Sequence, residues 1–117
     1  MAPQRWTEEQ EIALIAAWRH VEESTHQTNK WFRILHEYNR LVGGSDRTTE
    51  SLSRKLTDLT TKCQIFNGYH NRTLQEVPSN MPEDVSIRHS KRQYKNRERK
   101  EFKQVSAWQM MRDRLNL

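Results

Sequence analysis

Between residues 47 and 73 the apolar positions Leu52, Leu56, Leu59, Cys63 and Phe66 follow steps of four, three, four and three, which line one side of a single long helix. The opposite side carries Arg54, Lys55, Lys62 and, further on, Arg72. One face can enter a core while the other offers positive charge at intervals. Thr48 or Thr49 precedes the periodic run and can cap it through a hydroxyl that accepts an orphan amide hydrogen bond. Gly68 is expected to weaken or stop the helix. A helix from about Glu50 to about Tyr69 is roughly 30 Å long, enough to cross a DNA major groove.

Upstream, Trp6 leads into Thr7-Glu8-Glu9-Gln10, a capping box in which Thr7 caps the helix and Gln10 reaches back. The first helix is predicted from about Glu8 to Val21 or Glu23, with Leu14, Ile15, Trp18 and Val21 on one face and Ile12 beside it. Residues 24–29 read as a loop that supplies the next cap. A second helix follows from Lys30 to Val42, with Trp31, Ile34 or Leu35, Tyr38 and Leu41 or Val42 inward, and Arg33, His36, Glu37 and Arg40 outward. Gly43-Gly44 ends it, because glycine takes the left-handed C-cap conformation at no steric cost.

Three amphipathic helices with short connections predict a helix-turn-helix bundle over residues 1–73. Pro78, Ser79, Asn80 and Pro82 mark residues 74–82 as a linker, and residues 83–117 read as a basic helical extension packing on the bundle. Glu83-Asp84 opens its first helix, whose apolar residues Val85, Ile87 and Tyr94 are sparse. A last helix, from about Lys103 to Leu115, turns Val105, Trp108, Met111 and Leu115 inward, with Phe102 at its start. Strand-like alternation is hard to find, so the expected class is all-α.

A hydrophobic share of 33% and a mean hydropathy of −1.09 call for a small core that leans on aromatic rings. The net charge of +5 is unevenly spread: residues 1–46 carry five Lys/Arg against seven Asp/Glu, and residues 47–117 carry fifteen against eight. That asymmetry fits a polyanionic partner. A membrane surface is disfavoured, because no basic segment has a broad apolar face and no apolar run reaches the roughly 20 residues of a span. The first residues lack the apolar centre of a signal peptide. Cys63 alone cannot form an intrachain disulfide and sits on the apolar stripe, as expected of a buried residue in a reducing, intracellular setting.

Catalysis finds little support. His20, His26, His36, His70 and His89 are scattered without zinc spacing, and no nucleophile elbow, phosphate-binding glycine loop or His-Glu-x-x-His is present. The chain is therefore expected to be neither an enzyme nor a cofactor or metal binder.

Arg5-Trp6-Thr7 before an acidic helix, Trp18, Lys30-Trp31 opening the second helix and Arg47-Thr48 before the third together resemble the Myb/SANT-like domains, in particular the trihelix type. In that type the third helix ends in a KFxGxY segment; here Phe66-Asn67-Gly68 is kept, with Ile65 and His70 at the outer positions. A final FKxxxxW matches Phe102-Lys103 through Trp108. Myb-type third helices usually carry a bulky aromatic where this chain has Leu56.

The resemblance implies a nuclear protein that binds double-stranded DNA in transcription regulation, its third helix in the major groove. Arg54 and Lys55 would read base edges, with Arg47, Ser51, Lys62 and Arg72 as phosphate or flanking contacts. Trp6, Trp18, Trp31, Leu52, Leu56, Leu59, Phe66 and Trp108 are the expected core. The acids of the first helix, Glu8, Glu9, Glu11, Glu22 and Glu23, should point away from phosphate. Arg88, Lys91, Arg92 and Lys95, with Arg97, Arg99 and Lys100, are further phosphate contacts or a nuclear localisation signal. The alternative is a SANT-type accessory subunit that binds a protein partner in a chromatin or DNA-modifying complex.

Overall fold

The computed structural model describes residues 5–24 and 28–115, all of whose regular structure is helical: α1 (Glu8–Glu22), α2 (Lys30–Val42), α3 (Thr49–Glu76), α4 (Glu83–Glu98) and α5 (Val105–Leu115). The expected all-α class is what the chain adopts. Loop residues 25–27, part of the expected 24–29 connection, lie outside the described residues. The chain divides into two compact units, Met1–Asp58 and Leu59–Leu117, with the division inside α3.

In the first unit α1 packs on α2. Thr7 and Gln10 form the predicted capping box: Thr7 Oγ1 accepts from the Gln10 amide at 3.1 Å and Gln10 Oε1 from the Thr7 amide at 3.0 Å. Leu14, Ile15, Ala17 and Val21 of α1 are buried with Ile34 and Tyr38 of α2 and Leu52 and Leu56 of α3. Trp6, Trp18 and Trp31, expected in the core, are half-buried. An indole must still satisfy its N–H, and Trp18 does so by donating to Glu22 Oε1 at 3.1 Å. The cap expected ahead of α2 is absent. Asn29 stands at that position in the left-handed region, φ 57°, and its side chain makes no cap bond. Gly43 closes α2 at φ 82°, as the glycine pair foretold. Thr48 caps α3 in a reciprocal pair with Ser51, each side-chain oxygen accepting the other's amide at 3.0 Å.

In the second unit the rest of α3 packs with α4 and α5 around Phe66. Its ring stacks on Phe102 with centroids 4.1 Å apart, meets the edge of Trp108 at 5.0 Å and lies 6.3 Å from Tyr94. Leu59, Cys63, Thr73, Met111 and Leu115 complete this core. α3 runs past Tyr69, where it was expected to end, and continues to Glu76 into the stretch read as a linker. Burial outweighs the glycine: His70 and Thr73 extend the inner stripe beyond Gly68, whose own cost in a helix is only about 1 kcal/mol. α4 is seated by small residues, not by Val85 and Ile87. Ser86, Ser90 and Tyr94, one turn apart each, are its buried positions, while Val85 and Ile87 are half-buried.

A Cβ added at Gly68 meets nothing within 4 Å and the residue is exposed. Gly68→Ala should therefore raise stability by about 0.5–1 kcal/mol. Gly43→Ala, at φ +82°, should lower it by roughly 1 kcal/mol or more. Urea unfolding followed by circular dichroism tests both signs.

Candidate nucleic-acid interface

The cations named from sequence fall into three groups. Those nearest the start of α3 are largely held by the protein itself. The Arg47 guanidinium lies 3.7 Å over the Trp6 ring and donates to Gln10 Oε1 at 3.2 Å, half-buried. Lys55 is turned inward, with only 16% of its side chain exposed, and its Nζ lies 3.0 Å from Glu11 Oε2 and 3.8 Å from Asp58 Oδ2. Glu11 itself is 7% exposed, so this acid of α1 faces the interior. A lysine so placed positions α3 on α1 and has no free charge to offer a base edge. Ser51 is spent in the α3 cap. Arg54 alone stands out, with 79% of its side chain exposed, tethered at 3.0 Å to Glu50 one turn earlier. Exposed pairs of that kind are worth only a few tenths of a kcal/mol, so a stronger anion can take the guanidinium.

The second group lies on the later part of α3. Lys62 is half-buried beside a cleft of about 370 Å³ shared with Tyr94, Lys100, Glu101 and Lys103. Arg72 is exposed at the edge that faces α4, beside Arg97, Gln93 and Asn96. The sequence reading did not single out Gln93 and Asn96. The position of Gln93, three residues before Asn96 and four before Arg97, is the available signal.

The third group is the most coherent. Arg88, Lys91, Arg92 and Lys95 are all exposed and fall at steps of three, one and three, a single stripe on the side of α4 opposite Ser86, Ser90 and Tyr94. The stripe is about 10 Å long. Within it the ion pair from Lys95, to Glu101 at 3.6 Å, is itself exposed. α4 ends at Glu98, with Arg99 as its C-cap at φ 65° and the Arg99 amide donating to the Lys95 carbonyl.

The stripe owes its direction to the polar seam beneath it. Ser90 Oγ donates to the Ser86 carbonyl at 2.8 Å and lies 3.2 Å from Thr73 Oγ1, while Ser86 Oγ lies 3.4 Å from His70 Nε2. His70, at the outer position of the KFxGxY-like segment, is buried against Trp108 with ring centroids 4.7 Å apart. Asn67 Oδ1 accepts from Trp108 Nε1 at 2.9 Å. Burial holds the His70 imidazole below its ordinary value. Arg112 adds repulsion of the imidazolium, and Glu83, paired with Arg112, opposes the shift only in part.

Among the described residues no group of three or more His, Cys, Asp or Glu is placed to hold a metal ion. No helix among them is long and apolar enough to cross a membrane. No protein-family model, curated protein or solved structure matches the chain.

Two outcomes follow from this geometry. Lys55→Ala strands the buried Glu11 carboxylate and should cost roughly 3 kcal/mol of stability, read as a lower urea midpoint, whereas Arg54→Ala should leave the midpoint nearly unchanged. Because folding depresses the His70 proton affinity, the unfolded chain binds the proton more readily. Stability is thus whole above the ordinary histidine range of about 6.5 and is lost as pH falls through it. Urea midpoints from pH 8 to pH 5 should show that loss, and His70→Gln should shrink it.

Proposed function

We propose that this chain is a nuclear DNA-binding protein of the Myb/SANT-like, trihelix type, acting in transcription regulation by holding duplex DNA against helix α4. The observation that carries the reading is the α4 stripe of Arg88, Lys91, Arg92 and Lys95. A duplex presents one negative charge per about 1.7 Å of axis, so a stripe of about 10 Å faces several phosphates at once. Cations that stabilise only their own helix would gain little from standing on one side, since like charges one turn apart repel. A polyanion reverses that penalty.

On α3 the resemblance assigns base reading to Arg54 and Lys55. Lys55, held by Glu11, is better assigned to positioning, which leaves Arg54 to compete for a guanine edge. Bases are also within the chemistry of the exposed, uncharged Gln64 and Asn71 further along the helix, because amides pair with adenine.

Fluorescence anisotropy with a labelled duplex, titrated at several salt concentrations, tests the proposal. With each neutralising one phosphate, the four stripe cations should contribute about −3.6 to the slope of log K against log salt. Replacing the four by glutamine should flatten the slope and remove most of the affinity for every sequence alike. A wild-type slope near zero would sink the reading.

A second reading, a SANT-type subunit that binds protein, draws on the first unit. There Glu8, Glu9 and Glu23 are exposed while Lys55 and Arg47 are engaged inside, a surface suited to a basic peptide such as a histone tail. Binding of a Lys/Arg-rich peptide that Glu8→Gln with Glu9→Gln abolishes, together with no affinity for DNA at low salt, would favour it.

A further inference from the structure

In the second unit the facing edges of α3 and α4 leave a shallow groove of about 250 Å³ lined by Arg72, Glu76, Gln93, Asn96 and Arg97. It is separate from the outer stripe of α4, since Gln93 and Arg97 project from the side of the helix that carries Ser86 and Ser90. Both arginines are exposed, and both line this one groove.

Carboxylates nearby do not satisfy them. Glu98 accepts a hydrogen bond from the Tyr69 hydroxyl at 2.8 Å. Glu76 stands one turn after Arg72, an order of cation before acid that is the weaker one along a helix. Among the described residues neither Arg72 nor Arg97 forms an ion pair. Two guanidinium forks beside two side-chain amides make a donor-rich groove whose one carboxylate, Glu76, pairs with neither arginine.

We propose that this groove binds one phosphate group of a nucleic-acid backbone, clamped between Arg72 and Arg97, with the Gln93 and Asn96 amides donating to its remaining oxygens. The ligand class follows from the donors. Planar guanidinium groups match phosphate oxygens in pairs, and amide N–H groups commonly complete such contacts. Glu76 at the rim repels an anion and keeps affinity for an isolated phosphate low. The source of the phosphate rests on the DNA-binding reading above; the groove as an anion site does not.

The test has two arms. In the first, inorganic phosphate is titrated into the full chain while the arginine Nε–Hε signals are followed by NMR, with chloride at matched ionic strength as reference. Saturable shifts at Arg72 and Arg97 are expected. Glu76→Gln should tighten the binding severalfold, and Arg72→Gln with Arg97→Gln should remove it. These opposite directions would not arise from a loss of folding. Shifts that track ionic strength alone overturn the site.

In the second arm the anisotropy titration is repeated with the arginine double variant. A salt slope shallower by about one unit is expected. An unchanged slope in a chain that binds duplex overturns the assignment to backbone phosphate. If the wild type binds no duplex at all, the DNA reading and the backbone source fall together, and the phosphate titration still decides the anion site.

Discussion

Phe66 is the residue on which the second unit depends. Its ring is stacked on Phe102, met edge-on by Trp108 and flanked by Tyr94, so side chains from α3, α4, α5 and the segment before α5 meet at one point. Aromatic contacts of this kind add to burial itself. In a chain with few aliphatic residues they substitute for the leucine layers of a larger core. The same clustering explains why α3 continues through Gly68. Once Phe66 is fixed, His70 and Thr73 lie one and two turns further along the same side, and burying them is worth more than the glycine costs.

Much of this was legible in the sequence. The Thr7 capping box, the limits of α2 and the glycine that closes it, and the leucine stripe of α3 are local signals, and each is realised where the pattern put it. The parts that local pattern leaves hidden are partners far apart in sequence. Nothing near Lys55 announces that Glu11 will take its charge, and Arg47 resembles any basic residue ahead of a helix until Trp6 is found beneath it. Trp18 read as core because apolar periodicity ignores its indole N–H, which here reaches Glu22, whereas Trp108 stays buried because Asn67 accepts its N–H.

α4 was legible as a helix opened by Glu83-Asp84 with Tyr94 inward, but the rest of its buried face was not, for a different reason. Hydrophobic periodicity finds helices by their apolar face, and this helix presents serines to its neighbour. Ser86 and Ser90 are small enough to let the backbones approach, and their hydroxyls find acceptors on their own helix and on Thr73. Had they been scored as inner positions, Arg88, Lys91, Arg92 and Lys95 would have emerged as the opposite face. The candidate interface was present in the composition, but its organisation was hidden by polarity on both sides.

That polar seam has a thermodynamic consequence. A helix held by hydroxyls, one tyrosine and two half-buried aliphatics gives up less hydrophobic free energy when it detaches than a leucine-striped one, so α4 should open before the leucine stripe of α3 does. The cations it displays are arrayed in one line only while it is closed. Whatever anion engages them must therefore draw on the closed population and, by mass action, enlarge it: occupancy of the surface and order in the helix are two readings of one equilibrium.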